Sequence, residues 1–226
     1  IDLSLFRHAR IDPNSRTAYV AGGSLLAALD HEAMAHGLVT PAGTVSHTGV
    51  GGLSTAGGFG RISRRFGLTL DNIKAVDIVT ADGRLLRASA DENPDLYWGI
   101  RGGGGNFGIV TSFQYALHPM QRQVIGGEVV FPLDRARELI HFYAEVPTQA
   151  PDDLDIDLYV NATATGEGSG AGFHVCYSGP EKDAEKVLAP IRKLGEPAFT
   201  NLGPIDYVAI QRSWDYADFR NIGEYL

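Results

Sequence analysis

Residues 41–60 read Pro-Ala-Gly-Thr-Val-Ser-His-Thr-Gly-Val-Gly-Gly-Leu-Ser-Thr-Ala-Gly-Gly-Phe-Gly, seven glycines among short side chains with one large apolar ring. A segment this poor in bulk allows its backbone to come close to another body. Glycine lacks a Cβ, reaches positive φ without strain, and leaves successive N–H groups able to surround an anion. A cofactor pyrophosphate is one such anion. A run of tight turns between short strands is the other reading, and glycine density alone does not separate the two.

The neighbouring sequence supplies more. Arg64-Arg65-Phe66-Gly67-Leu68-Thr69-Leu70-Asp71-Asn72-Ile73 follows, then Val76-Asp77-Ile78-Val79-Thr80-Ala81-Asp82-Gly83, then Asn93-Pro94-Asp95-Leu96-Tyr97-Trp98. Residues 102–111 read Gly-Gly-Gly-Gly-Asn-Phe-Gly-Ile-Val-Thr. In this order and spacing the string resembles the FAD-binding domain of the berberine bridge enzyme-like oxidases, within the superfamily of vanillyl-alcohol oxidase and p-cresol methylhydroxylase. The resemblance covers residues 1 to about 119 and continues more faintly to the end of the chain.

That resemblance implies an α+β architecture. Residues 1–119 would form the second part of a PCMH-type FAD-binding domain, and residues 120–226 a partial substrate domain built on a ferredoxin-like antiparallel sheet. It implies FAD as cofactor. The lining would comprise Ala42, Gly43, Val45, His47, Thr48, Gly49, Val50, Gly51, Gly52, Leu53, Gly57 and Gly58 along ribityl, pyrophosphate and isoalloxazine, with Asn72 nearby and Ile109 and Val110 against the adenine. Two of these have bland alternatives. Asn72 follows Asp71 in a pair that favours turns in any protein, and His47 is equally readable as a loop histidine bonded to backbone.

The resemblance also implies missing parts. Ile1 is not a native start, so a preceding half-domain with an Arg-Gly-Gly-His type motif is expected, along with a C-terminal segment that often carries the catalytic base. The chain is therefore expected to be the middle of a longer enzyme. Relatives with two covalent flavin links carry cysteine in a Pro-Ala-Gly-x-Cys segment. Val45 stands there, which rules out a cysteinyl link and leaves a histidine in the preceding part as the only route to a covalent flavin.

Bulk properties narrow the classes. At 226 residues, 44% hydrophobic and 20% charged, the chain has an ordinary globular composition and buries a substantial core. Nineteen basic against 27 acidic residues give a net charge of −8, and no Lys/Arg cluster is present to neutralise phosphates, which argues against nucleic acid. No apolar run approaches the ~18 residues of a membrane span. Cys176 is the only cysteine, which excludes an intrachain disulfide and a cysteine-rich zinc site. A cytoplasmic location is the weak expectation.

Along the chain, Thr17–Ala21 is β-prone, and Ser24 opens a helix whose Leu25, Leu29, Ala33 and Met34 share a face before Gly37 ends it. Ile73–Thr80 and Arg84–Ser89 form a hairpin across Ala-Asp-Gly. Asn93 caps a short helix from Pro94 to Ile100, and Phe113, Tyr115 and Leu117 alternate in a strand that begins near Ile109. Beyond His118-Pro119 the predicted order is strand Gly126–Phe131, helix Asp134–Glu145 capped by Asp134, strands Leu154–Ala164 and Ala171–Ser178, and helix Pro180–Leu194. This β-α-β-β-α order is that of a split βαβ unit.

Other constellations fail. Gly103-x-Gly105-x-x-Gly108 matches a dinucleotide fingerprint, but a helix precedes it and a strand follows, the reverse of the Rossmann order. Gly52-Leu53-Ser54-Thr55-Ala56 lacks the last glycine of a nucleophile elbow. The seven histidines show no zincin spacing, and Asp152, Asp153, Asp155 and Asp157 read as a solvated strand edge rather than a cation loop. No metal is expected. Tyr159, His174 and Tyr177 are strand residues that could face the flavin if the resemblance extends that far, but no catalytic residue is assigned, and the base is expected outside this chain.

The function implied is oxidation of an alcohol, amine, sugar or secondary-metabolite C–H by hydride transfer to FAD, with O2 as acceptor. A dehydrogenase using another acceptor, and a catalytically silent FAD-fold ligand-binding protein, stay open. The implied partners are a small-molecule substrate and O2, with neither nucleic acid nor membrane.

Overall fold

The computed structural model describes residues 1–146 and 149–215. These divide into two compact units: residues 1–120 together with the chain from Gln211 onward, and Gln121–Ile210 between them.

The first unit is organised by the alternating strand of its sequence. In β6 (Ile109–Ala116), Phe113 and Tyr115 are fully buried while Ser112, Gln114 and Ala116 are half-buried. A strand that buries one face and is paired on both sides is central. Here β6 lies between β2 (Thr17–Ala21) and β4 (Ile73–Val79), with β1 (Ala9–Asp12) and β5 (Leu85–Ser89) outside them in the order β1-β2-β6-β4-β5, all pairs antiparallel. Gly83 closes the β4–β5 hairpin at φ 79°, the left-handed conformation that the Ala-Asp-Gly signal predicts.

Helix α1 (Leu26–Met34) buries Leu26, Leu29, Asp30, Ala33 and Met34, the i, i+3, i+4, i+7, i+8 stripe of an amphipathic helix. Leu25 is its N-cap rather than a member of the stripe, and Ser24 does not cap it. The Ser24 hydroxyl donates to the His8 carbonyl and accepts from the His8 N–H instead, tying the turn after β2 to the chain before β1. The core gathers Ala18, Val20, Leu26, Leu29, Val50, Val76, Ile78, Phe113 and Tyr115, each large apolar side chain stabilising the fold by ~1.5–3 kcal/mol. Smaller elements complete the unit: β3 (Leu38–Val39) paired with β7 (His118–Pro119), and helices α2 (Val50–Thr55), α3 (Ser63–Phe66) and α4 (Pro94–Ile100). Asn93 precedes α4 in left-handed geometry, but its amide donates to the Arg87 carbonyl and does not cap.

The second unit has the strand order of a split βαβ sheet. Strand β8 (Gln123–Phe131) leads through α5 (Ala136–Glu145) to β9 (Leu154–Asn161), and β10 (Gly170–Tyr177) lies between β8 and β9, antiparallel to both. After α6 (Ala184–Arg192), the short strands β11 (Phe199–Thr200) and β12 (Gly203–Asp206) pair with the free side of β8, and α7 (Tyr207–Ile210) follows. β11 and β12 supply the fourth strand position, which carries little β signal because two residues precede and four follow a turn. Single 3₁₀ turns, Leu133–Arg135 and Glu181–Asp183, open α5 and α6, so Asp134 is not a cap. Strand β9 ends at Asn161 rather than at residue 164.

After Ile210 the chain returns to the first unit. Gln211 donates to Asp30 and to the Gly43 carbonyl, and Asp215 accepts from Ser46. The expected second domain, residues 120–226, therefore ends early in the structure; its last part, 216–226, lies outside the described residues.

Candidate cofactor site

The glycine segment is anchored by the start of α1. The first N–H groups of a helix have no partner within it, and here Leu26 and Ala27 donate to the Thr48 and Ser46 carbonyls at 3.0 and 2.8 Å, while Val50 donates back to the Ser24 carbonyl at 2.8 Å. Residues 46–50 are thus laid along the N-terminus of α1 as a short backbone ladder. The chain then turns into α2, so the glycine-rich segment contains a helix. The change matters for the donors. Thr48 and Val50 spend their N–H groups on Val45 and Ser24, and Leu53 donates to Gly49. Gly51 and Gly52, in the first turn of α2, carry N–H groups with no acceptor inside the helix.

The glycines of the segment separate into two groups by what a side chain would meet. A Cβ on Gly60 would sit 1.9 Å from the Ala42 carbonyl oxygen, one on Gly58 2.4 Å from Thr69 Oγ1, and one on Gly43 2.7 Å from Leu53 Cδ1. Gly51 belongs with these, at 2.9 Å from the Gly22 oxygen. At Gly60 and Gly51 the obstacle is backbone, at Gly58 a φ of 71° adds to it, and at Gly43 it is the end of a leucine side chain, so the protein itself accounts for these glycines. At Gly49 and Gly52 a Cβ would meet nothing within 4 Å, and neither has positive φ. Glycine inside a helix costs about 0.5–1 kcal/mol relative to alanine, so Gly52 has a cost that neither conformation nor protein packing explains. Open space beside two such glycines, next to unspent N–H groups, fits a cradle for a flat or anionic ligand that approaches the backbone. FAD fits this donor set, which meets negative charge with dipoles; there is no Lys or Arg from 41 to 60.

The remaining predicted residues take varied places. Ala42 and Val50 are buried, Val45, Thr48 and Leu53 half-buried, and Gly57 buried with φ 118°. Ile109 and Val110 begin β6, and the Val110 carbonyl lies 2.1 Å from where a Gly22 Cβ would be, so the turn after β2 rests on this strand start. Asn72 is used by the protein. Its amide donates to the Phe66 and Leu68 carbonyls at 2.9 Å each, and its oxygen meets His118 Nε2 at 2.6 Å. Burial, with Arg65 nearby, holds the His118 pKa below the usual histidine value, and its ring stacks on Phe66 at 4.4 Å. Asn72 is thus a buried tie of the 66–72 turn.

His47 stands with Nδ1 3.6 Å from Asp215 Oδ1, and Asp215 accepts from Ser46 N at 2.8 Å and Ser46 Oγ at 2.6 Å. Burial pushes the Asp215 carboxyl up, but the two Ser46 hydrogen bonds, His47 and Arg212 outweigh it and hold the group below the ordinary carboxylate range. Beside it, Arg61 donates to Ser213 Oγ at 3.1 Å and lies over the Trp214 ring. Sequence reasoning missed Gln211, Ser213 and Asp215. A contact spanning 169 residues leaves no local signal.

In the second unit, Tyr159 and His174 stack at 4.6 Å, and His174 Nδ1 lies 3.2 Å from Glu128 Oε1, three strands contributing one polar group. Tyr177 lies with the buried core residues instead, its hydroxyl bonded to the Pro180 carbonyl. Asp155 and Asp157 are half-buried on the edge strand β9, less exposed than a solvated edge implies.

An antiparallel sheet carrying a glycine cradle, followed by a split βαβ sheet, defines the class of the PCMH-type flavin-binding proteins. Comparison with known proteins agrees. Residues 1–89 match the family model described as an FAD binding domain. Over 213 residues the chain is 33% identical to an FAD-linked oxidoreductase of Dictyostelium discoideum, covering 93% of this chain and 46% of that one. Its fold matches 6-hydroxy-D-nicotine oxidase from Arthrobacter nicotinovorans with a TM-score of 0.85 at 27% identity, over 93% of this chain and 47% of that chain. Xylooligosaccharide oxidase from Myceliophthora thermophila matches with a TM-score of 0.80 at 27% identity, over 96% and 46%. The chain spans about half the length of the curated relatives that it matches. It carries an FAD binding domain and is related to the FAD-linked oxidoreductases, and its cofactor is FAD.

Among the described residues no helix is long and apolar enough to cross a membrane.

Proposed function

We propose that the protein to which this chain belongs oxidises a C–H bond of a small alcohol, amine, sugar or secondary metabolite by hydride transfer to FAD, with O2 as the acceptor. The observation that carries this reading is the pair of glycines, Gly49 and Gly52, whose missing side chains leave open space beside unspent N–H groups. FAD supplies a two-electron acceptor. The chain's share is binding and orientation: Gly49–Gly52 bring backbone close to the cofactor, the 46–50 ladder on α1 fixes their height, and Ile109 and Val110 are proposed to meet the adenine. Residues 1–119 act as the FAD-binding domain and Gln121–Ile210 as substrate domain. The amine and sugar classes are supported by the names of the two oxidases above, a nicotine oxidase and a xylooligosaccharide oxidase, each 27% identical to this chain.

Purified full-length protein should be yellow and consume O2 with at least one substrate from a panel of alcohols, amines and oligosaccharides. Turnover only with an artificial dye would replace O2 by another acceptor. Stoichiometric flavin without turnover on any of them would favour a binding protein that has lost the chemistry.

A further inference from the structure

The 45–48 turn is held from two sides. Its carbonyls belong to the rest of the segment and to α1: Val45 accepts from Thr48, Ser46 from Ala27, Thr48 from Leu26. The Ser46 donors belong to a distant part of the chain. Both Ser46 donors, N–H and O–H, end on the two oxygens of Asp215, at a position only 5% exposed. Gln211 Nε2 reaches the Gly43 carbonyl at 3.1 Å from the same short segment, and Ser213 and Trp214 engage Arg61 just beyond the glycines. Three residues past Ser46 the chain delivers Gly49, and then Gly52, into open space.

Hydrogen bonds to an ionised carboxylate are about twice as strong as neutral ones, and removing an acceptor from a buried N–H and O–H leaves both unsatisfied. The carboxylate is therefore a second hold on the turn, beside the backbone ladder on α1. We propose that Asp215 is a positioning residue of the FAD cradle: through Ser46, and by standing against His47, it fixes the turn from which Gly49 and Gly52 are presented. Cofactor affinity then depends on a residue far beyond the 1–89 family match. The inference rests on the FAD assignment above and adds to it a dependence that sequence position hides.

The test uses the full-length protein, prepared as apo-protein and titrated with FAD by quenching of flavin fluorescence; if the flavin proves covalent, the fraction of chains carrying it replaces the dissociation constant. Asp215→Ala should weaken FAD by at least about tenfold, ~1.4 kcal/mol, and lower the melting temperature of the apo-protein by a few degrees, the share of two lost hydrogen bonds. Asp215→Asn, whose amide oxygen still accepts from Ser46 N–H, should recover part of the loss. Ser46→Ala should weaken FAD when introduced alone and add nothing in the Asp215→Ala background, because the two residues act as one unit. The visible flavin band should differ from wild type in Asp215→Ala, since the chromophore's surroundings move. Unchanged affinity in Asp215→Ala overturns the proposal while leaving the FAD reading intact. Additive losses, or a matched collapse of apo-protein stability in both Asp215 variants, also overturn it by making the residue merely structural. A wild-type protein that takes up no FAD at all sinks both.

Discussion

The two ends of the glycine-rich segment look alike in sequence and differ in kind. At its far end, Gly57, Gly58 and Gly60 are fixed by the protein: one has φ 118°, one would collide with Thr69, and one would place a carbon 1.9 Å from the Ala42 oxygen. At its middle, a side chain on Gly49 or Gly52 would meet nothing within 4 Å among the described residues. The far end is glycine because the chain packs on itself, and the middle is the part proposed to receive the cofactor. Conservation of type along one loop can therefore hide two separate demands, folding and binding, and substitutions separate them.

The largest expected effect is at the far end. Gly60→Ala forces a carbon into the Ala42 carbonyl, and with no room for relaxation in a buried turn it should cost about 3 kcal/mol or more, in the range of overpacked cores. Melting of the apo-protein by circular dichroism checks this. A variant that melts like wild type would show that the far end is as open as the middle, and the comparison would break.

Next comes the near end, where Gln211 bridges Gly43 and Asp30. Asp30 is buried on α1, and desolvation pushes its carboxyl up to about 7, only partly opposed by the Gln211 amide. A raised carboxyl pKa means that the folded state keeps a proton that the unfolded state releases. The associated stability is full below the unfolded value near 3.8 and is lost as pH rises to about 7. Asp30→Asn should therefore flatten the stability curve between these limits and raise stability at pH 7 by up to roughly 3–4 kcal/mol, a ceiling set by ~1.4 kcal/mol per pKa unit. Urea melts at pH 5 and pH 7 measure it; an equal pH slope in both proteins would mean that Asp30 ionises as freely as a surface carboxylate.

The smallest effect on the fold, and the most telling one, belongs to Gly52→Ala. Alanine gains about 0.5–1 kcal/mol over glycine in a helix interior, and its methyl meets no protein atom. The apo-protein should be slightly more stable, while FAD affinity falls. Gly51 and Gly52 are adjacent but not equivalent: Gly51→Ala would press on the Gly22 oxygen at 2.9 Å and should cost stability as well. If Gly52→Ala binds FAD as wild type does, the open space beside it is not the cofactor's.

Much of the scaffold was legible before the structure. Alternation marked β6 because a central strand buries every second residue; Ala-Asp-Gly marked the β4–β5 turn because only glycine adopts its last φ without strain. The order of strands and helices in the second unit announced its split βαβ sheet. Capping was read less well: Ser24, Asn93 and Asp134 were each placed at a helix start, and each spends its side chain elsewhere or lies in a 3₁₀ turn. Local rules identify residues able to cap, while the choice among competing acceptors is made by whatever folds back alongside. Asn72 shows the same for the site. Its type suited a turn or a cofactor, and it ties the 66–72 turn with the help of His118, 46 residues away, closing on its oxygen.

Sequence alone pointed to FAD and to relatives among the FAD-linked oxidoreductases, because the motifs that carry the resemblance are written in consecutive residues. It also settled that no thioether to flavin forms at Val45, since side-chain chemistry needs no fold. Which glycines the protein's own packing requires, that α2 begins inside the segment, and that Gln211 and Asp215 bond to it were decided only by tertiary structure. Each depends on atoms brought together across more than a hundred residues, or on the absence of any atom at all within 4 Å.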